Sequence, residues 1–426
     1  MHCELCTVNK KTMINYKFPI FTKEMKKTHT ILAPDMLPVH FGLILKIFED
    51  DGYKFELLRG TEPSLIEKGL KYVHNDICYP CLLTTGQLID ALASGKYDVD
   101  KVALAMSQTG GGCRASNYIH LLRAGLIEAG FPQVPVLSIN FSGLEKQNVL
   151  KFNIKKLKKA RAAVVYGDML MLMRNHYLSY EKNKGDTDRK VKEWEDRLKN
   201  ELDKSNYETT KKNLRLIKAD FDTIDCNYID RIKVGVVGEI YVKFAPLGNN
   251  NLEEFLRSEG CEVVVPGLMG FIMYCIANNV FDSKFYGKSK FKAWIFNKIL
   301  NGMKKWDLLI KEAVNGDKRF VPSTGVEHLW KLTEGVVDLG VKMGEGWLLP
   351  AEMMELIEFG VNNIVCAQPF GCLPNHIVGK SVIKRIKELA PLSNITPIDY
   401  DASATRVNQE NRIKLMLAVA KENMKQ

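Results

Sequence analysis

The alternation of short apolar runs with helix-periodic segments is the feature that most constrains how this chain folds. It occurs in two blocks, residues 28–143 and residues 231–426, in which strand-like apolar runs are followed by helical patterns. Strands that alternate with helices along a chain form parallel sheets with helices on both faces. The sequence therefore predicts an α/β protein with two doubly wound, Rossmann- or flavodoxin-like domains.

Two segments lack this alternation. Residues 144–230 repeat lysine, leucine and methionine at helical spacing without a strand-like run, which predicts a helical insert between the two domains. Residues 1–27 read as an irregular, basic N-terminal leader. In the second block, Trp294, Trp306 and Trp330 are the expected packing anchors of the mostly helical region 283–340.

No segment of the chain has the pattern of a membrane span or a secretory signal. The most apolar stretch, residues 263–281, is interrupted by Pro266, Gly267 and Gly270. A membrane helix needs about 20 consecutive apolar residues, so this stretch predicts a buried strand followed by a core helix. We expect a cytoplasmic protein without a membrane partner.

The positive charge is concentrated in one part of the chain. The formal net charge is +10, and residues 151–200 hold 14 Lys and Arg against 7 Asp and Glu. Such a segment can dock a nucleotide-bearing substrate or a partner protein, or it can be a solvated helix face. It lacks the spaced aromatic residues of a base-stacking platform, so we do not expect nucleic acid as a partner.

The ten cysteines need an explanation, because a chain of 426 residues can build its core without disulfides. Three segments place cysteine beside a strand-to-helix transition: NDICYPC with Cys78 and Cys81, TGGGC with Cys113, and CAQPFGC with Cys366 and Cys372. Ligand sites in open α/β sheets lie at the carboxyl ends of strands. These segments therefore predict a binding site.

The residue types in these segments suit an iron–sulfur cluster. Thiolates are its ligands, and unpaired backbone N–H groups at helix starts can donate hydrogen bonds to cluster sulfurs. The glycines Gly110, Gly111 and Gly112 allow the backbone to approach a bulky anion. Zinc held by four converging cysteines, or a redox dithiol in NDICYPC, remains an alternative.

Five of the ten cysteines lie outside those three segments: Cys3, Cys6, Cys226, Cys261 and Cys275. Cys3 and Cys6 lie in the leader without a strand–helix frame, which leaves their role open. Cys226 and Cys261 are expected to pack as small apolar residues.

Four segments carry a resemblance to a known family: MSQTGGGCRASNYIHLLRAGLIEAGFPQVPVLSINFSGLE, VGVVGEIYVKFAPLGNNNLEEFL, GEGWLLPAEM and CAQPFGCLPNHIVGK. They resemble the dehydratase-like region of 2-hydroxyacyl-CoA dehydratase activase-related proteins. That region is similar to the 2-hydroxyacyl-CoA dehydratase subunits and to the double-cubane cluster proteins. The resemblance extends over residues 28–423.

The resemblance implies a homodimeric, oxygen-sensitive protein with an iron–sulfur cluster held between its domains. It implies low-potential electrons from a separate ATP-hydrolysing activase that has its own 4Fe–4S cluster. Dehydratase subunits hold a single 4Fe–4S cluster through three cysteines, which Cys78, Cys113 and Cys372 match by segment. Double-cubane proteins hold a linked 8Fe–9S cluster through six cysteines and reduce small molecules.

Adding Cys81, Cys275 and Cys366 to those three cysteines gives six, the number of ligands that a double-cubane cluster needs. The leading hypothesis is therefore a double-cubane reductase that acts on a small molecule. The first alternative is a 2-hydroxyacyl-CoA dehydratase subunit with one 4Fe–4S cluster and an acyl-CoA substrate. The second is a non-catalytic electron carrier or a zinc-stabilised interaction module.

Reduction of a substrate needs proton donors near the cluster. The candidates are Glu239 after a strand-like run, Glu345 in a Gly-flanked turn, and His376 one helical turn beyond the last cysteine of its segment. Arg114 can offset cluster charge. Each has a structural alternative: a turn cap for Glu239, an ordinary surface or core histidine for His376, and an ordinary ion pair for Arg114.

We do not expect the chain to hydrolyse ATP itself. The residues VGKS at 378–381 end like a P-loop, but Pro374 stands where the first glycine of that motif is required. The segment is also predicted to lie inside a helix, so the nucleotide site is assigned to the activase.

Overall fold

The computed structural model describes residues 18–109, 112–140, 145, 150 and 153–424. This part of the chain contains two four-stranded parallel sheets and many helices, which confirms the mixed α/β architecture that the sequence predicts. The chain forms two compact units. The first contains residues 1–35 and 48–151, and the second contains residues 36–47 and 152–426.

The first unit is built on a parallel sheet with the strand order β2-β1-β3-β4. Its strands are Thr30–Pro34 (β1), Lys54–Leu58 (β2), Val102–Ser107 (β3) and Val136–Ile139 (β4). The helices of this stretch are Pro38–Glu49 (α1), Ser64–Tyr72 (α2), Tyr79–Ala93 (α3) and Tyr118–Glu128 (α4), of which α1 belongs mainly to the second unit.

The second unit is built on a parallel sheet of the same form, with the order β6-β5-β7-β8. Its strands are Lys233–Gly238 (β5), Glu262–Val264 (β6), Asn363–Pro369 (β7) and Asn394–Tyr400 (β8). Three long helices precede the sheet: Ile154–Tyr177 (α5), Asp186–Glu201 (α6) and Tyr207–Phe221 (α7).

The remaining helices of the second unit connect its strands or follow them. They are Ile240–Phe244 (α8), Pro246–Asn249 (α9), Leu252–Ser258 (α10), Leu268–Phe285 (α11), Lys290–Asp307 (α12), Leu309–Val314 (α13), Val326–Leu332 (α14), Leu348–Glu358 (α15), Ile383–Leu389 (α16) and Arg406–Asn423 (α17).

The helical stretch that follows the first sheet is helical as expected, but it shares a compact unit with the second sheet. Its core joins α5 and α7 to residues of α11 and α12 in one apolar cluster. Leu43 and Ile47 of α1 also lie in that cluster. Helix α1 therefore packs with elements that follow it by more than a hundred residues.

Two local expectations are wrong. Trp294 is 53% exposed, whereas Trp306 on the same helix is 3% exposed. Helix α12 buries the face with Ala293 and Leu300, and Trp294 lies about 100° around the helix from Ala293, which places its ring outside the core.

The helix expected over residues 376–389 is interrupted. A short turn, Leu373–Asn375, passes into a π-helical turn, His376–Lys380, before α16 begins. In that turn the backbone N–H of Ser381 donates to the carbonyl oxygen of His376, five residues earlier. Residues 378–380 therefore lie in a helical turn rather than in a phosphate-binding loop after a strand.

The apolar stretch at 263–281 divides into β6 and α11, as the sequence predicts. None of the helices in the described ranges is both long enough and apolar enough to cross a bilayer.

Candidate functional site

Polar side chains meet at the carboxyl edge of the second sheet. We call the group formed by Glu239, Glu345, Cys372 and Asn375 the Glu–Cys cluster. Glu239 comes directly after β5, and Cys372 follows β7, the neighbouring strand. The sequence predicts Glu239, Glu345 and Cys372 as site residues, and the fold brings all three together.

The end of β5 requires glycine at the position before Glu239. A Cβ on Gly238 would lie 1.9 Å from the carbonyl oxygen of Ala367 on β7. Since only glycine allows this approach, the two strands stay paired up to the site. Glu239 then caps α8, because its carboxylate accepts a hydrogen bond of 2.9 Å from the backbone N–H of Val242.

The turn that carries Glu345 is held by its two flanking glycines. Gly344 and Gly346 have φ values of +59° and +42°, a region that favours glycine. The hydroxyl group of Tyr274 donates to the carbonyl oxygens of Lys342 and Gly344 at 2.7 and 3.0 Å. These two hydrogen bonds fix the turn, so that Glu345 lies at the edge of the sheet.

Asn375 joins Glu345 to Cys372. Its side-chain nitrogen lies 2.8 Å from Glu345 Oε2 and 3.2 Å from Cys372 Sγ, while Glu345 Oε1 accepts a bond from the backbone N–H of Ile240. Asn375 is fully buried, and its Oδ1 has no hydrogen-bond partner in the described residues. The amide therefore donates to both a carboxylate and a sulfur.

Burial makes both carboxyl groups of the cluster weak acids. Burial and the charge of Glu345 raise the pKa of Glu239 to about 8. Burial also raises the pKa of Glu345. Burial and the same two carboxylates raise the pKa of Cys372. Burial therefore favours the protonated form of each of these groups.

His376 contacts the edge of the site through the backbone. Its Nδ1 donates to the carbonyl oxygen of Cys372 at 2.8 Å, and its Nε2 lies 3.8 Å from Asp399 Oδ1. In this arrangement His376 stabilises the turn that carries Cys372, and its ring is about one third exposed.

Three of the predicted cysteine ligands lie in the first unit. Cys78 directly precedes α3, Cys81 lies in the first turn of that helix, and Cys113 directly precedes the short helical turn Arg114–Ser116 that follows β3. All three border one apolar cluster. The NDICYPC segment connects helix α2 to α3, so the strand-to-helix transition expected there is wrong. Arg114 is exposed and donates from Nη1 to the carbonyl oxygen of Asp76 at 2.7 Å, which ties the Cys113 turn to the residues before Cys78.

The structure distinguishes the six predicted cysteine ligands by their surroundings. Cys81 and Cys366 are fully buried inside apolar clusters. Burial raises the pKa of Cys81 to about 12, and it raises that of Cys366. Gly379 packs against this thiol, since a Cβ there would lie 3.1 Å from Cys366 Sγ.

Cys275 has a different position. It is exposed on α11, yet the surrounding protein and the charge of Glu345 raise its pKa to about 12. The residue is thus exposed and lies within reach of the Glu345 charge. Among the predicted packing residues, Cys261 is buried and Cys226 is half-buried against the helical core.

No described group of three or more Cys, His, Asp or Glu side chains is arranged to hold a metal ion. Gly112 is exposed beside Cys113, whereas Gly110, Gly111, Cys3 and Cys6 lie outside the described residues. The described cysteines differ in their surroundings. Cys113 and Cys372 follow strands and Cys78 directly precedes α3, whereas Cys81 and Cys366 are packed in apolar clusters.

No protein-family model matches this chain, and no curated protein matches its sequence. The functional argument therefore depends on the geometry of the site.

Sequence reasoning missed three residues of this region: Asn375, Lys243 and Glu352. Asn375 stands in the CLPNH segment three residues after Cys372, a spacing at which a side chain can reach back across one turn. The Lys243–Glu352 ion pair is buried, with Nζ to oxygen distances of 2.9 and 3.0 Å. Its partners are 109 residues apart, so no local pattern indicates it.

Proposed function

We propose that this chain is an iron–sulfur oxidoreductase that uses Cys78, Cys113 and Cys372 as cluster ligands and receives electrons from a separate ATP-hydrolysing activase. The observation that carries the proposal is the position of Cys372. Its sulfur accepts a hydrogen bond from the buried Asn375 amide, beside the carboxyl groups of Glu239 and Glu345.

The bound cluster would supply one-electron chemistry at low potential, which hydrogen bonds to its sulfurs help to set. Asn375 supplies one such bond within the turn that carries Cys372. Glu239 keeps its proton near neutral pH because its pKa is raised to about 8. A neutral carboxyl group at the sheet edge can donate a proton to a substrate that has been reduced.

The contrast between the cysteines supports a single 4Fe–4S cluster. Cys81 and Cys366 are packed in the core, and moving either thiol onto a metal would open the apolar cluster around it. With those two in the core, three cysteines remain at turns: Cys78 before α3, Cys113 after β3 and Cys372 after β7. This number matches the three-cysteine pattern of the dehydratase subunits, which the sequence resembles, with an acyl-CoA or another small molecule as substrate.

The double-cubane reductase is the second candidate. Exposed Cys275 and its neighbour Glu345 favour it, because they add an accessible sulfur beside the Glu–Cys cluster. This candidate needs Cys81 and Cys366 as ligands as well, so it requires local repacking of both cores.

Anaerobic reconstitution with ferrous iron and sulfide tests the proposal. We expect about four irons per chain and an electron paramagnetic resonance signal after reduction. The single substitutions C78A, C113A and C372A should each lower the iron content and alter the signal. C81A and C366A should leave both unchanged, as should the packing control C261A.

Two other outcomes would contradict the proposal, one on the type of cluster and one on the redox function. About eight irons per chain, with losses in C81A and C366A, would establish the double-cubane candidate instead. A reconstituted protein that takes up zinc alone would overturn the redox function altogether.

A further inference from the structure

A second group of carboxylates lines a cavity in the same unit. The cavity lies beside the loop Val265–Gly267, which connects β6 to α11, and its wall includes Asp168, Asp307, Glu352 and Glu355. None of the Glu–Cys cluster residues lines it. We call it the acidic cavity.

The acidic cavity accommodates a small ligand. It offers about 40 Å³ to the centres of water-sized groups, and one water needs about 10–15 Å³ on that measure. Gly270 of α11 is buried and lines the wall, and a Cβ at this position would meet no atom of the described chain within 4 Å. The space therefore suits a molecule of a few heavy atoms.

Two of the four carboxylates already have full sets of partners. Asp168 accepts bonds from the first two backbone N–H groups of α11, at 2.7 and 2.9 Å, and from His40 Nε2 at 2.8 Å. Glu352 has both oxygens within 3.0 Å of Lys243 Nζ. Neither carboxylate needs a ligand.

The other two carboxylates each have one oxygen without a hydrogen-bond partner among the described residues. Asp307 is 6% exposed, and its Oδ2 accepts a bond from Val326, but the buried Oδ1 has no partner in the described chain. Glu355 is 4% exposed, and its Oε1 accepts both bonds from Thr324 at 2.6 Å. Hydrogen bonds to Glu355 Oε2 are absent among the described residues.

Such a pair of buried acids is unfavourable without a cationic or hydrogen-donating partner. Burial and the charges of Glu352 and Asp307 raise the pKa of Glu355 to about 7. Burial and the charge of Asp168 raise the pKa of Asp307 to about 6. A positively charged N–H donor would relieve both the repulsion and the unsatisfied oxygen.

We propose that the acidic cavity binds a small primary ammonium ion, whose N–H groups donate to Asp307 and Glu355. A metal ion fits less well, because the described residues contain no group of three or more acidic or thiol side chains placed to coordinate one. An ammonium group needs only two or three directed acceptors, which the spare oxygens supply. This site does not depend on the iron–sulfur proposal.

Titration of the full-length protein with methylammonium chloride tests the site. At constant ionic strength, with sodium chloride as the reference, calorimetry should show saturable binding and the melting temperature should rise. Tetramethylammonium has the same charge but no N–H donor, and it should produce neither effect.

Three variants locate the binding. Glu355→Gln should weaken methylammonium binding by about tenfold or more, since it removes a charge-assisted acceptor. Gly270→Ala should abolish binding while the protein stays folded, because alanine favours a helix by about 1 kcal/mol and its methyl group enters empty space. Glu358→Gln, an exposed change on the same helix as Glu355, should leave binding unchanged.

Several results would overturn the assignment. The first is a calorimetric titration with methylammonium that shows no saturable heat. The second is equal methylammonium affinity of the wild type and Gly270→Ala, and the third is tighter binding of Mg²⁺ than of methylammonium. The last result would make the cavity a metal site.

Discussion

Burial determines the protonation of individual carboxyl groups in this protein. Glu239, Glu345 and Glu355 all have pKa values raised chiefly by burial, although each accepts hydrogen bonds that oppose the rise. A carboxyl group that stays neutral near pH 7 can donate a proton or lose it when a cation binds. The chemistry of both sites therefore depends on side chains that are costly to ionise.

Glu355 gives a test of this effect on stability. Its pKa is about 7 in the folded protein against 4.5 for the ordinary group, so the folded state binds more protons between these values. The free energy of unfolding should therefore fall as pH rises from 4.5 to 7 and stay low above 7. In ammonium-free buffer at pH 8, Glu355→Gln should raise it by up to about 3 kcal/mol.

Urea denaturation of both proteins at pH 4.5 and pH 8 measures this difference. Glu352→Gln is the matched control on the same helix, and it should destabilise the protein by about 3–5 kcal/mol because it leaves Lys243 buried without its partner. An equal stability of the wild type and Glu355→Gln at pH 8 would contradict the raised pKa.

At the scale of elements, a side chain from a distant part of the chain can accept the hydrogen bonds of the first N–H groups of a helix. Helix α11 begins at Leu268 after Gly267, which offers no capping side chain, and Asp168 of α5 accepts its first two N–H bonds instead. His40 of α1 then bonds the same carboxylate. One aspartate therefore joins three helices.

Asp168→Asn should destabilise the second unit. The amide has the shape of the carboxylate but no negative charge. The charge-assisted hydrogen bonds to the start of α11 and to His40 are therefore weakened. We expect a loss of about 2–4 kcal/mol, from charge-assisted bonds and the helix dipole together. Urea denaturation measures it, with Asp188→Asn as the exposed control, which should change stability by less than about 0.5 kcal/mol.

At the scale of the whole molecule, two parallel sheets with the same strand order each carry their own core. The chain leaves the first unit after β1, contributes residues 36–47 to the second unit, and then returns to form β2. Sequence order and unit membership therefore differ in this stretch, so a substitution in α1 should act on the second unit.

Leu43→Ala tests this assignment. Leu43 is fully buried in the core that includes α5, so the substitution should cost about 2–5 kcal/mol. Hydrogen exchange should then quicken in α5 and leave β1 protected, although β1 lies only a few residues before Leu43. Leu32→Ala in β1, also fully buried, should give the opposite pattern, and faster exchange in β1 of Leu43→Ala would contradict the unit assignment.

Local patterns predicted the elements well. The eight strands of the described chain all lie in the two blocks, residues 28–143 and 231–426, for which the sequence predicts alternating strands and helices. The prediction for Trp294 was wrong, because neighbours in space set which face of α12 is buried. The helix predicted around residues 378–381 is interrupted by a π-helical turn.

The sequence by itself determined the α/β class, the positions of Glu239 and Glu345 beside turns, and the positions of Cys113 and Cys372 after strands. Periodicity and glycine spacing are local properties, so they can be read along the chain. The tertiary structure decided that Cys81 and Cys366 are core residues, that Asn375 donates to Cys372, and that Asp307 and Glu355 share a cavity. These facts depend on contacts between residues far apart in sequence, such as His40 and Asp168, which only packing brings together.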